Sequence, residues 1–150
     1  VHSNRVFEYK GISRPAKVKI ADFRVEQLLD KLIDNAIDFS NEGGRIEVSI
    51  FYSEERFILT VANEGPKIPT EMLENVFDSM ISIRETNPDN RLHFGMGLYV
   101  VRIIAKHHGG NVKAVNLSGG RGVKIDVSLP EFSELRPISK TNSELNTEKA

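Results

Sequence analysis

A chain of 150 residues with 39% hydrophobic and 27% charged side chains is long enough to bury one core without staples. Its formal net charge of -1 supplies no general attraction to nucleic acid or to an anionic membrane, so any recognition of phosphate has to be local. The absence of cysteine excludes disulfide scaffolds, thiolate metal sites and cysteine nucleophiles, and no apolar run approaches the roughly 20 residues of a membrane span. The chain opens at Val1 without Met and closes on polar residues, as expected of a piece of a longer protein.

Arg5 to Lys10 and Ala16 to Ile20 alternate apolar and polar residues, which predicts two short half-buried strands around the turn material from Gly11 to Pro15. The clearest helix follows, from about Phe23 to Ser40. Val25, Leu28, Leu29, Leu32, Ile33, Ala36 and Ile37 recur in it at spacings of three and four and predict one core-facing stripe. Asp22 is the expected N-cap, and Asn41 to Gly44 tolerate the left-handed conformation at the other end. Asn35 does not belong to this pattern. At about 100° per residue it stands at the edge of the stripe beside Leu28 and Phe39, with Lys31 and Asp38 toward solvent. A helix built only for stability would carry Leu, Ala or Lys there, so Asn35 either caps a neighbouring loop or faces a ligand.

Arg45 to Tyr52 and Arg56 to Ala62 are β-branched and aromatic runs joined by Ser53 to Glu55, the pattern of a hairpin. The second run empties into a turn from Asn63 to Pro69, after which Thr70 is the expected cap of a short helix, Glu71 to Phe77. Asp78 to Phe94 is a long connection with no clear periodicity after Ile83, and a loop of that length in a compact domain is usually functional or mobile. Gly95-Met96-Gly97 opens a strongly apolar helix from Leu98 to Lys106 that ends at His107-His108-Gly109-Gly110, where imidazoles suit the negative end of the dipole. Asn111 to Leu117 and Val123 to Leu129 predict a last hairpin, closed by Pro130. Residues 1–130 therefore form one α/β (α+β) two-layer sandwich: a mixed, largely antiparallel sheet of about five to six strands with three helices on one face. Residues 131–150 are a polar tail expected to be mostly disordered.

A helix opened by Gly95-x-Gly97 leaves backbone N–H groups at its positive end, a natural seat for phosphate, and Arg84 and Arg91 precede it in the connection. Taken singly, the glycine pair is better accounted for by helix N-capping, and ordinary solvated charges are the default for both arginines. The Asn35 edge, the 63–69 turn and the glycine pair are nevertheless spaced so that a two-layer fold can bring them together.

Asp34 to Ser40, Val61 to Pro69, Val76-Phe77-Asp78, Gly95 to Val101 and His108-Gly109-Gly110 resemble, in order, the boxes of the ATP-binding catalytic domain of sensor histidine kinases. Type II topoisomerases, the Hsp90 chaperones and the MutL repair proteins share that Bergerat fold. The similarity covers roughly Ala16 to Pro130. Within the family, Phe77 to Arg84 is similar to a branch of proteobacterial kinases associated with dedicated sortase systems. The resemblance implies that Asn35 is the catalytic residue and coordinates Mg²⁺ bridging the phosphates of ATP. Asn63 would face the adenine edge, Gly65 would admit the base to the backbone, and Ile68 and Leu98 would wall it. The N–H groups of Gly95, Met96, Gly97 and Leu98 would hold phosphates, with Asp78 to Phe94 as the ATP lid. Asp38, Phe39, Lys67, Phe77, Arg84, Arg91 and Phe94 complete the implied nucleotide contacts.

The departures from the family pattern carry chemistry of their own. Asn63 stands where the family usually has Asp, and its amide both accepts and donates, so adenine selectivity should be looser. Lys67 and His93 replace glycines, and Asp38 replaces a basic residue, changes that weaken nucleotide affinity. Lys31, one turn before Asn35, stands where hydrolytic relatives carry a water-activating Glu, and an ordinary lysine is a poor base at neutral pH. None of His2, His93, His107 or His108 sits in a phosphoacceptor setting. The implied protein is thus the catalytic domain of a two-component histidine kinase, donating the γ-phosphoryl of ATP to a histidine on its own upstream dimerisation domain and serving a response regulator. The intact protein would be a homodimeric inner-membrane sensor with this domain in the cytoplasm, neither inserted in the membrane nor bound to nucleic acid. The alternatives are a degenerate nucleotide-binding or interaction module with weak ATP affinity and a relative of the ATPase type.

Overall fold

Alternation along the strands decides which face of the sheet is covered. The computed structural model describes residues 4–78, 83–84, 91–92 and 96–133. Its elements are β1 (Val6–Lys10), α1 (Asp22–Phe39), β2 (Arg45–Ser53), β3 (Arg56–Glu64), β4 (Ile83–Arg84), β5 (Arg91–Leu92), α2 (Met96–His107), β6 (Asn111–Asn116) and β7 (Gly122–Pro130). Five strands form one sheet in the order β1-β2-β3-β7-β6, with β1 parallel to β2 and every other pair antiparallel. Cross-strand registers stack the residues in rows: Ile46, Asn63, Val123 and Asn116, then Val48, Val61, Ile125 and Ala114, then Ile50, Leu59, Val127 and Val112. These rows supply the apolar face, and the helices supply its cover through Leu28, Leu32 and Ala36 of α1 and Leu98, Val101, Ile104 and Ala105 of α2, all buried. Removing each of the Leu, Val and Ile side chains from water contributes roughly 1.5–3 kcal/mol, and each Ala less. The opposite parity is polar: the Thr60 hydroxyl donates to Asp126 at 2.6 Å, and Lys124 pairs with Asp126 at 3.2 Å.

Local expectations that tertiary packing overrode are specific. Ala16 to Ile20 joins no ladder; this segment runs along the end of the sheet, where the Phe132 N–H donates to the Lys17 carbonyl at 2.7 Å. β1 is mostly exposed, with Phe7 and Tyr9 at 53% and 68%, because it is the sheet edge and α1 packs over β3. Asp22 is the first helical residue and not the cap; Ala21 occupies the cap position without a side-chain bond, and the Asp22 carboxylate is left to favour the helix dipole. Between Thr70 and Phe77 the expected α-helix is replaced by two 3₁₀ turns, Thr70–Met72 and Asn75–Phe77, with no side-chain cap at Thr70. So short a segment offers few propagating bonds, and burial of Val76 and Phe77 dictates its path. The connection after Asp78 contains an antiparallel pair, β4 with β5, where no periodicity was visible. Its remaining residues, like 134–150 of the expected tail, lie outside the described ones.

The chain after β7 is tied back to the sheet. The Glu131 N–H donates to the Glu55 carbonyl at 3.0 Å, and its carboxylate accepts from the Tyr52 hydroxyl at 2.7 Å and from Arg14 at 3.0 Å. The bond to Glu131 holds the Tyr52 phenol above its ordinary pKa.

The β2–β3 hairpin turns on Glu54 and Glu55, both at positive φ of 51° and 58°, the conformation of a tight primed turn that favours Asn-Gly. Glu55→Gly should therefore raise the denaturation midpoint, by about 1 kcal/mol of stability, since it removes the left-handed strain and keeps the backbone bond to Glu131.

Candidate functional site

The site forms where β3 ends beneath the last turns of α1. Asn63 falls on the inward parity of β3 between Ile46 and Val123, so the alternation that builds the core also buries an amide. It is 5% exposed, and its Nδ2 has no hydrogen-bond partner among the described residues. Asn116, beyond Val123 in the same row, is used quite differently. Its Nδ2 donates to the Ile68 carbonyl at 2.7 Å and its Oδ1 accepts the Ile68 N–H at 2.9 Å, so one side chain clamps the turn after β3 as a strand neighbour would.

The backbone around Asn63 is packed too closely for side chains. A Cβ on Gly65 would lie 2.1 Å from the Phe39 carbonyl oxygen and 3.2 Å from Asn63 Nδ2, which places the strand end directly under the α1 terminus. The crossing is held by backbone bonds: the Gly65 N–H donates to the Arg121 carbonyl at 3.2 Å, and the Asn41 N–H to the Glu64 carbonyl at 3.0 Å. Above this floor, Asn35 and Phe39 of α1 face the turn residues Pro66, Lys67, Ile68 and Pro69. Together with Asn63 and Val123 they line a narrow cavity of about 10 Å³. That is room for about one water molecule, so a planar ring is admitted only as the exposed turn residues Pro66 and Lys67 shift outward.

The glycine-started helix is close by. A side chain at Gly97 would stand 3.7 Å from the Lys31 stem, so the first turn of α2 lies beside α1 one helical turn before Asn35. The three regions singled out in the sequence therefore share one side of the molecule. Farther along α2, Arg102 donates to Asp78 at 2.6 Å and pins the start of the long connection to this helix. At its other end His108 Nδ1 lies 2.7 Å from the Ile104 carbonyl.

Of the residues expected at the site, Asn35, Phe39, Asn63, Lys67 and Ile68 line the cavity and Gly65 backs it. Leu98, expected as a wall of the base, is instead buried in the core, as is Phe77, because each is needed to cover the sheet. Asp38 and Met96 are exposed and off the lining. Arg84 and Arg91 are partners in the β4–β5 ladder, and His93, Phe94 and Gly95 lie outside the described residues. Sequence reasoning missed Pro66, Pro69, Val123 and Asn116. For Asn116 a signal existed: it continues the inward parity of Val112 and Ala114, as Asn63 continues that of Leu59 and Val61. Asn116→Ala should cost about 1–3 kcal/mol in chemical denaturation by orphaning both Ile68 backbone groups, and it should widen the cavity mouth.

Residues 21–133 match the family of histidine kinase-, DNA gyrase B-, and HSP90-like ATPases. The chain belongs to that family. Sensor histidine kinase WalK of Bacillus subtilis is 33% identical over 123 residues, which cover 81% of this chain and 20% of WalK. Sensor protein ChvG of Agrobacterium fabrum is 34% identical over 122 residues, 81% of this chain and 20% of ChvG. The nucleotide-free catalytic domain of histidine kinase ThkA matches with a TM-score of 0.72 at 26% identity, over 85% of this chain and 80% of that domain. This member of the ATPase family thus has the fold of histidine kinase catalytic domains, while it spans only about a fifth of the length of those curated relatives. Among its described residues no helix is long and apolar enough to cross a membrane, and no group of three or more His, Asp or Glu side chains could hold a metal ion by itself.

Proposed function

We propose that this domain binds ATP with the base in the cavity under α1, and that within a longer protein it serves as the catalytic domain of a two-component sensor histidine kinase. The observation that carries the nucleotide reading is the buried Asn63 Nδ2, without a partner among the described residues, on the floor of a cavity lined mainly by Phe39, Pro66, Ile68, Pro69 and Val123, with Asn35 and the exposed Lys67 completing it. Largely apolar walls with one buried directional polar group describe a site for a flat heteroaromatic ring. Phosphates leaving the cavity along α1 would run from Asn35 toward Lys31 and the start of α2, where backbone N–H groups and the positive dipole end favour anions.

The donor set fits Mg²⁺ carried in on the nucleotide. Asn35 offers a neutral carboxamide oxygen beside the cavity, the ligand type that suits a hard cation whose charge phosphate oxygens already balance. When bound, the ion would neutralise charge on the phosphates during transfer. The chain's own residues then bind and orient: Phe39, Pro66 and Ile68 hold the base plane, Asn63 reads its edge, and the first turn of α2 receives the phosphates. Lys31 provides no general base for water, which favours transfer to an acceptor supplied by another domain over hydrolysis. That acceptor would be a histidine on an upstream dimerisation domain of the same protein. A response regulator would be the onward partner, by analogy with ThkA, whose structure in complex with response regulator TrrA matches this chain at 26% identity and a TM-score of 0.68. The Phe77 to Arg84 run supports a place near the sortase-associated branch, and the likenesses to a sensor histidine kinase and a sensor protein support a sensor role; the longer protein would be a membrane-anchored homodimer with this domain in the cytoplasm.

Thermal unfolding with Mg-ADP and Mg-ATP tests the binding step, since ligand at 100 times Kd should add about 2.7 kcal/mol. No shift at millimolar nucleotide would replace this reading with the interaction module, a reading that the intrusion of Lys67 into the cavity lining favours. Phosphotransfer to a separately supplied upstream segment tests the kinase step. Steady phosphate release by the domain alone would point to an ATPase.

A further inference from the structure

We infer that the base pocket is not restricted to adenine: it accepts 6-oxopurine nucleotides about as well, and Asn63 is the residue that permits both. This inference deepens the nucleotide reading above and rests on it. The two amides on the inner face of the sheet end make the case by contrast. Both ends of Asn116 are consumed by the Ile68 backbone, whereas Asn63 Nδ2 is buried with no partner among the described residues. A buried donor without a partner costs about 1–3 kcal/mol, and such a group calls for a function. Asn63 is the one buried polar side chain on the lining: Asn35 is half-buried on α1, Lys67 is exposed, and Phe39, Pro66, Ile68, Pro69 and Val123 offer no directional side-chain bonds.

A carboxamide presents one donor and one acceptor side by side, and a half-turn of its terminal torsion exchanges them. The C6 edge of a purine comes in two versions. Adenine carries a donor amine on C6 next to the acceptor N1, and a 6-oxopurine carries an acceptor oxygen on C6 next to a donor N1–H. Each version complements Asn63 in one of its two orientations. The absence of a side chain at Gly65, where a Cβ would come within 3.2 Å of Nδ2, leaves room for the amide to turn. A polar site discriminates when the wrong ligand leaves its groups unpaired, and here neither base does so.

Affinities of the wild-type domain for Mg-ATP and Mg-ITP, measured by calorimetry, decide the matter. Inosine triphosphate differs from ATP at the C6 edge alone and so isolates the contact. The expected result is a Kd for Mg-ITP within about tenfold of that for Mg-ATP, and a loss of about tenfold or more for both nucleotides in Asn63→Ala, which removes donor and acceptor together. Binding of Mg-ATP with Mg-ITP weaker by more than about tenfold would overturn the inference and leave the nucleotide site standing, as would unchanged affinity for both nucleotides in a folded Asn63→Ala domain. Failure of both nucleotides to bind would overturn the nucleotide reading and this inference with it.

Discussion

Asn35→Ala should yield a folded domain, about 0.5 kcal/mol more stable without ligand, that has lost most of its response to Mg-ATP. The gain is expected because Asn is a poorer helix former than Ala and because Asn35 is only half-buried, at the edge of the Leu28, Leu32, Ala36 stripe. The loss is expected because the carboxamide beside the cavity is the oxygen proposed for the ion. If it weakens Mg-ATP binding about a hundredfold, or roughly 2.8 kcal/mol, then at 100 times the wild-type Kd the stabilisation falls from about 2.7 to about 0.4 kcal/mol. Removing magnesium gives the internal control. Wild type and variant should then bind the nucleotide alike, and a variant that responds to Mg-ATP as wild type does would remove Asn35 from the site.

Gly65→Ala should be among the most damaging single substitutions in the chain, with a loss of about 3 kcal/mol in chemical denaturation and no nucleotide-dependent shift. The added carbon would sit 2.1 Å from the Phe39 carbonyl oxygen. Neither side can give way easily: Phe39 closes α1, and the Gly65 N–H is bonded to the Arg121 carbonyl. Conformation is not the cause, since Gly65 is absent from the residues at positive φ. Gly120→Ala is the matched comparison. That residue has φ of +67° and no atom within 4 Å of an added Cβ, so only backbone strain of about 1 kcal/mol is expected. Equal losses at the two positions would mean that the close crossing of β3 under α1 is not tight.

Where a single element decides its own structure, the sequence was readable. The three-and-four spacing from Val25 to Ile37 located α1 to within a residue at either end, and alternation located β2, β3, β6 and β7 to within about two residues at each end. Asn35 stood out by misfit, because its side chain makes no sense as helix filler, and it does border the cavity. Readings failed where the outcome depends on a neighbour distant in the chain. Ala16 to Ile20 has strand alternation but found no edge to join. Thr70 and Asp22 are good capping residues that the adjacent packing left unused.

Composition, periodicity and ordered boxes thus determined a two-layer fold, its two long helices and its hairpins, and its membership in the ATPase family, since all of these are written in local spacing. Tertiary structure alone decided that β7 enters between β3 and β6. That pairing sets Val123 beside Asn63 and brings Asn116 within reach of Ile68, and it leaves one amide occupied and the other's Nδ2 without a partner among the described residues. The reason is physical: pairing between strands some sixty residues apart leaves no period along the chain, yet it fixes what each inward side chain touches.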